Sequence, residues 1–175
     1  RLLLAALFAV TAVFSALLDN LTTVMLVVPV TIALTQRLRI PLYPFLFSQI
    51  FASNIGGTAT LIGDPPNIMI GSAAKLSFMD FVYNVGPPSV LAAVLAAVFF
   101  DFFWGRKMSA DQKAQQAVLA MNENEAIEDR VLLWKSLCVI ALAIAGFIVG
   151  HQYGFEPGSV ALVAAAFLML LDGLG

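Results

Sequence analysis

The stretch SNIGGTATLIGDPPN, residues 53–67, interrupts an apolar segment of the chain. Its three glycines each disfavour a helix by about 1 kcal/mol, and its two consecutive prolines remove two amide donors. Apolar sequence precedes it over residues 42–52 and resumes at Ile68. The pattern predicts a membrane helix that is broken around an unwound centre. Such irregular backbone is tolerated at membrane depth only where it is buried in protein or lines a wet cavity.

The composition places the chain in a lipid bilayer. Of its 175 residues, 61% are hydrophobic and 11% charged, whereas soluble domains have roughly 45–50% apolar and 25% charged residues. Apolar segments recur along the chain, and none is followed by a cleavage site and a soluble domain, as a secretory signal would be. We therefore predict an all-α, multi-pass integral protein of the plasma (inner) membrane.

Charge and cysteine content exclude two other classes of protein. A formal charge of −2 offers no basic surface of the kind that nucleic-acid binding requires. Cys138 is the single cysteine, so the chain can form neither an internal disulfide nor a cysteine metal cluster.

A second interrupted segment lies at the start of the chain. Residues 2–35 are apolar except for Asp19 and Asn20, and as one helix they would be about 50 Å long against a bilayer core of about 30 Å. The two legs of about 17 and about 15 residues are each shorter than the roughly 20 needed to span. We predict a re-entrant hairpin over residues 1–36 with its tip in the membrane. Two tilted spans joined by a tight turn are the alternative.

Two acids inside these apolar segments are the first candidates for function. Asp19 and Asp64 are costly in a membrane, where acids generally face a pathway or a partner. Each also suits the N-cap of the helix that follows it, and Pro65 at the first helical position strengthens this for Asp64. Capping and function are compatible, because a half-helix N-terminus suits an anion and unwound carbonyls suit a cation.

Neutral oxygens near the two acids complete the candidate ion- or substrate-binding site, since hard cations prefer oxygen ligands. Ser53, Asn54 and Asn67 form a candidate sodium site within it. Gly56 and Gly57 are predicted to adopt positive φ in the unwound segment, so that carbonyls can turn toward a ligand. The full candidate set is Asp19, Asn20, Thr22, Thr23, Ser53, Asn54, Gly56, Gly57, Thr58, Asp64 and Asn67, with Ser15 and Thr60 as further hydroxyls.

The two motifs resemble the ion transporter superfamily. The residues that carry the resemblance are SALLDNLTT (15–23), PVT (29–31) and SNIGGTATLIGDPPN (53–67). They are most similar to the branch that holds arsenite efflux pumps, NhaD-type sodium/proton antiporters and the melanosomal P protein, often labelled citrate transporter-like. The match in order and spacing covers about residues 2–74, and beyond them it rests on hydropathy alone.

The resemblance implies one half of an inverted-repeat fold. Each half would contribute one re-entrant hairpin and one broken helix to a midplane site, with elevator-like movement of that part. The missing second repeat is then an expected partner, beside the bilayer and a second copy in a homodimer. The predicted divisions are a re-entrant hairpin (1–36), a broken transmembrane helix (37–75), an interfacial connector and transmembrane helix (76–104), a cytoplasmic loop (105–130), and the truncated start of the second repeat (131–175).

The distribution of Lys and Arg agrees with these divisions. In this arrangement seven of the nine Lys and Arg residues fall on one side, which is predicted to be cytoplasmic, and Lys75 falls on the other. Asp101 and His151 are expected at membrane edges, and the partner of Asp172 would lie beyond the chain. The residues on the cytoplasmic side are Arg37, Arg39, Arg106, Lys107, Lys113, Arg130 and Lys135.

What the resemblance implies is secondary active transport of an inorganic ion or small oxyacid, by sodium/proton antiport or arsenite efflux, and no enzyme activity. No cofactor is expected beyond a coupling Na⁺ or H⁺. A dicarboxylate or citrate-type anion carrier is the alternative, although such carriers usually lack an acid where Asp64 stands. An intramembrane aspartyl protease with Asp19 and Asp64 as its dyad is more remote, because Leu61 stands where its Gly-x-Gly-Asp motif needs glycine.

Overall fold

A computed structural model describes residues 1–108, 110–111, 114, 116, 118, 130–150 and 153–173. For residues 172 and 173 it describes the backbone alone. The chain divides into two compact units, residues 1–121 and 122–175. The described residues form helices and no strands, and three helices, Asn20–Leu38, Gly86–Gly105 and Arg130–Gly150, are long and apolar enough to cross a membrane. The predicted class, an all-α polytopic membrane protein, is confirmed. Most of the predicted loop 105–130, His151 and the side chain of Asp172 lie outside the described residues.

The first unit begins with the two motif regions and ends with a long apolar helix. Its helices are α1 (Leu2–Leu17), α2 (Asn20–Leu38), α3 (Tyr43–Thr58), α4 (Pro65–Ala74), α5 (Phe78–Asn84) and α6 (Gly86–Phe100). A π-helical turn, Asp101–Gly105, continues α6, and there Asp101 pairs with Arg1.

The second unit contains α7 (Arg130–Gly150) and α8 (Pro157–Gly173). Lys135 Nζ of α7 donates to Leu171 O of α8 at 2.7 Å. The two helices also approach closely at Gly146, where a Cβ would lie 2.6 Å from Val160 Cγ1.

The helices α1, α2 and α3 form the part of the first unit that positions the motifs. The helices α1 and α3 are in close contact, at Ala12 with Gly56 and at Ser15 with Ser53. Contacts between α2 and α3 advance in opposite directions, from Thr31 with Gln49 to Asn20 with Asn54, so α2 is antiparallel. The buried apolar core beside them comprises Leu4, Leu7, Phe8, Val27, Phe45, Ala52 and Phe100.

The second leg of the predicted hairpin is longer than expected. The sequence predicted an end at Thr35, but α2 continues to Leu38 and has 19 residues, because Gln36 and Arg37 favour helix as much as apolar residues do. Arg39 ends it in the left-handed conformation, with φ 51°. By length α2 could therefore span, whereas α1 has 16 residues. The re-entrant arrangement stays a prediction.

The break is shorter than predicted and begins later. The sequence predicted unwinding from Ser53, but α3 stays helical through Thr58 and only residues 59–64 separate it from α4. The expectation of positive φ at Gly56 and Gly57 is wrong, since Gly154 is the one glycine with positive φ among the described residues. These glycines serve close packing instead. A Cβ at Gly56 would lie 2.1 Å from Ala12 O of α1.

Candidate functional site

The turn between α1 and α2 meets the break between α3 and α4, and we call this meeting point, residues 15–23 with 53–67, the junction. Ser15 Oγ donates to Ser53 O at 2.6 Å, and Thr60 Oγ1 donates to Ala16 O at 2.6 Å. Asn20 Nδ2 donates to Asn54 Oδ1 at 3.3 Å. Side-chain hydrogen bonds thus bring together the two polar regions that sequence analysis had placed in separate segments.

Asp19 caps α2 with its carboxylate. Its Oδ1 accepts from Thr22 N at 2.9 Å, and its Oδ2 accepts from Thr22 Oγ1. The backbone of Asp19 is extended, with φ −62° and ψ 155°, as an N-cap requires. Both carboxylate oxygens therefore have local partners, and the capping interpretation accounts for this acid.

Asp64 stands at the N-cap of α4 but does not cap it. Its side chain accepts no capping hydrogen bond, and it has no hydrogen bond or ion pair within the part of the chain that the structure describes. The reason is local. A capping side chain accepts from the second or third helical amide, but Pro66 has no N–H and Asn67 N already bonds Asp64 O at 3.0 Å. The predicted position of Asp64 at the start of this helix is confirmed, but the alternative that its side chain serves only as a cap is not supported, since the half-buried carboxylate makes no capping hydrogen bond.

Asn67 holds the broken end of α3. Its Nδ2 lies within hydrogen-bond distance of three backbone carbonyls, at 3.2 Å from Gly57 O, 3.3 Å from Thr58 O and 2.8 Å from Thr60 O, so one of its two hydrogens is shared between two of them. Thr60 Oγ1 in turn accepts from Gly63 N at 3.1 Å. The break is thus built from side-chain hydrogen bonds, and Asn67 keeps only its Oδ1 as a free ligand atom.

The hydroxyl and amide donors near the end of α3 are directed at backbone carbonyls. Ser53 Oγ donates to Ile50 O at 3.0 Å, Asn54 Nδ2 to the same carbonyl at 2.8 Å, and Thr58 Oγ1 to Asn54 O at 2.8 Å. The hydroxyl hydrogens of Ser53 and Thr58 are used there, which leaves lone pairs on their oxygens, whereas Asn54 Oδ1 already accepts one bond from Asn20. The junction therefore offers oxygen ligands, the kind that a hard cation prefers.

The remaining candidates differ in exposure. Thr22 is exposed and bonds Asp19, whereas Thr23 is completely buried. Sequence analysis missed Gln49, which is completely buried one helical turn before Ser53. The signal was a polar residue within the apolar run 42–52. It stands four residues before Ser53, which places both residues on the same face of a helix.

The chain matches a family model described as citrate transporter (CitMHS) over residues 1–174. It is 45% identical over 166 residues to an uncharacterized transporter of Mycobacterium tuberculosis, which covers 94% of this chain and 38% of the relative. It is 40% identical over 172 residues to a 46 kDa membrane protein of Mycobacterium leprae, with 98% and 40% covered. The magnetosome protein MamN of Magnetospirillum gryphiswaldense is 30% identical over 172 residues, with 98% and 39% covered.

This chain spans about two fifths of the length of these relatives, 38% to 40%. No solved structure matches it. The family match includes both motif regions of the junction and extends through α8, well beyond the part in which the sequence resemblance was strong. The resemblance to the citrate transporter-like proteins is confirmed, and the chain belongs to the citrate transporter family.

Proposed function

We propose that the intact protein is a secondary active transporter of inorganic ions, working by sodium/proton antiport or arsenite efflux with an elevator-type movement. The observation that carries the proposal is the junction, where the polar turn after α1 bonds the break after α3. Two interrupted helical segments that meet at one polar site are typical of transporter binding sites. The family match and relatives described as transporters favour transport over the protease alternative.

Asp64 is the better coupling group of the two acids. Its carboxylate has no partner among the described residues, whereas both oxygens of Asp19 are bonded to Thr22. An unpaired carboxylate beside buried backbone can bind either a proton or a cation, and binding one excludes the other. Competition of this kind at a single acid produces antiport.

A sodium ion would use the carboxylate of Asp64 together with oxygens from the other polar residues of the junction. Asn67 Oδ1 remains after its amide hydrogens bond the end of α3, and Ser53 and Asn54 supply further acceptors. This set contains one carboxylate and otherwise neutral oxygens. It therefore suits a single positive charge better than an anion.

A citrate-type anion is the second candidate, favoured by the description of the family. Anions commonly bind free amides at helix N-termini, but the amides at the start of both α2 and α4 are largely occupied. The Asp19 carboxylate accepts the hydrogen bond of Thr22 N, and Pro65 and Pro66 have no N–H. The Asp64 carboxylate would also repel a substrate carboxylate, so the junction supports a cation more readily.

The test uses the intact protein reconstituted into liposomes. Sodium-driven proton movement, arsenite flux and citrate flux are measured in parallel for the wild type, Asp64→Asn and the matched control Asp111→Asn, which replaces an exposed acid. We expect ion flux that depends on pH in the wild type and the control, and loss of coupled flux in Asp64→Asn. Citrate flux alone would establish the second candidate. Coupled flux with the same pH dependence in Asp64→Asn would remove Asp64 from the mechanism.

A further inference from the structure

A set of polar side chains on α2 and α3 lies completely inside the first unit, and the two helices are joined within it by the hydrogen bond from Gln49 to Thr31. We call it the polar seam. Each of its members is 0–2% exposed, which is unusual for helices whose interior contacts could all be apolar. The members are Thr23, Thr31 and Thr35 of α2, and Ser48, Gln49 and Ser53 of α3.

Most hydroxyls of the polar seam are satisfied by their own helix. Thr31 Oγ1 donates to Val27 O at 3.0 Å and Thr35 Oγ1 to Thr31 O at 2.8 Å. Ser48 and Ser53 make the same kind of bond on α3, at 2.8 Å and 3.0 Å. Thr23 is the exception, because its Oγ1 has no hydrogen-bond partner among the described residues although it is completely buried.

Gln49 has the second unsatisfied atom of the polar seam. Its Nε2 donates to Thr31 Oγ1 at 2.6 Å, but its Oε1 is buried without a partner among the described residues. Exchanging the oxygen and nitrogen of the Gln49 amide does not satisfy both atoms. Oε1 could then accept from the Thr31 hydroxyl, but Nε2 would be left without an acceptor. Either orientation requires one more group at Gln49.

We propose that the polar seam is hydrated, with one buried water bonded to the free end of the Gln49 amide and another to the Thr23 hydroxyl. Buried polar atoms are rarely left unsatisfied, and internal water is the common solution where protein groups do not reach. A bare cation fits less well. The polar seam has only neutral side chains, and a hard cation takes about six oxygens or more.

The two waters would extend the polar lining of the junction inward. Gln49 lies one turn beyond Ser53 on α3, and Thr23 lies in the first turn of α2 beside Asp19. Hydration of the polar seam is a property of α2 and α3 in the folded protein. The proposal of hydration can therefore be tested independently of which ion, if any, is transported.

The experiment is a structure of the intact protein at a resolution where ordered waters are visible, for the wild type and three variants. Gln49→Met keeps the length of the side chain and removes its amide, Thr23→Val replaces the hydroxyl by a methyl group, and Gln36→Met is the control at an exposed glutamine. We expect waters within about 3.5 Å of the Gln49 amide and of Thr23 Oγ1. The first should be absent from Gln49→Met, the second from Thr23→Val, and both should remain in Gln36→Met.

Two results would overturn the proposal. One is a wild-type map that shows ordered waters elsewhere in the protein interior but none at Gln49 or Thr23. The other is waters that keep their positions in both Gln49→Met and Thr23→Val, since these would not depend on the groups named. If Gln49→Met does not fold, the wild-type map and the map of Thr23→Val still test the proposal. A flux assay that finds no transport would reject the proposed function and leave this measurement unaffected.

Discussion

Replacing Gly56 by alanine adds a methyl group where α1 and α3 touch. An ideal Cβ there lies 2.1 Å from Ala12 O and 2.7 Å from the carbonyl carbon, and both atoms are backbone. A flexible side chain could move away from the methyl group, but a helix backbone cannot do so locally. We therefore expect α1 and α3 to separate.

The size of the effect follows from that separation. Restoring ordinary contact at about 3.4 Å requires an opening of about 1.3 Å, which would lengthen two bonds of 2.6 Å, Ser15 Oγ to Ser53 O and Thr60 Oγ1 to Ala16 O, beyond hydrogen-bond range. Each lost bond costs about 1 kcal/mol, and overpacking costs about 1–3 kcal/mol. Alanine regains about 1 kcal/mol of helix propensity. The expected net loss in free energy of unfolding is roughly 2–4 kcal/mol.

The assay is the thermal unfolding midpoint of the purified intact protein in detergent. Gly86→Ala is the matched control, because the nearest atom to a Cβ at Gly86 is Ala59 O at 3.9 Å. We expect a lower midpoint for Gly56→Ala and an unchanged or higher one for Gly86→Ala. Equal midpoints for the two variants would refute the close-packing role of Gly56 and the helix contact on which it rests.

Three further predictions concern the junction. Asn67→Leu should destabilise the protein by about 1–3 kcal/mol, because it unpairs three carbonyls at the end of α3; a wild-type unfolding midpoint would contradict this. Asp19→Ala should lower the free energy of unfolding by about 1 kcal/mol because it removes the cap of α2, whereas Asp64→Ala should lower it less because the Asp64 carboxylate bonds no described residue. A lower unfolding midpoint for Asp64→Ala than for Asp19→Ala would show that Asp19 is not the structural acid of the two. A cysteine at Asn20, in a Cys138→Ser background, should react only through the aqueous cavity, and free labelling from the far face by a bulky impermeant reagent would exclude the re-entrant hairpin.

The helical class and the approximate position of the break could be predicted from the sequence. Hydropathy and length are local properties, and they place apolar helices wherever long uncharged runs occur. Pro65 and Pro66 mark the start of α4 because they fit the first helical positions and lack the amides needed further in. Asp19 at the start of α2 follows from the same local rules of capping.

The role of the glycines could not be predicted in this way. Gly56 and Gly57 lower helix propensity, which suggested unwinding, yet both remain within α3. What decides their conformation is a neighbour distant in sequence, the backbone of α1 at Ala12. The same holds for the end of α3, since Thr58 stays helical while Asn67, from beyond the break, bonds the carbonyls that the end of the helix leaves free.

The different roles of the two acids follow from the residues after them. Asp19 is followed by Asn20, Leu21 and Thr22, which all carry amide hydrogens, and its carboxylate bonds one of them. Asp64 is followed by two prolines, which have no amide hydrogen. The next amide, that of Asn67, donates to the backbone carbonyl of Asp64. The Asp-Pro-Pro sequence thus starts a helix while leaving the carboxylate at its end unbonded. Because the half-buried Asp64 carboxylate bonds no described residue, whereas both oxygens of Asp19 bond Thr22, we propose Asp64 and not Asp19 as the coupling group.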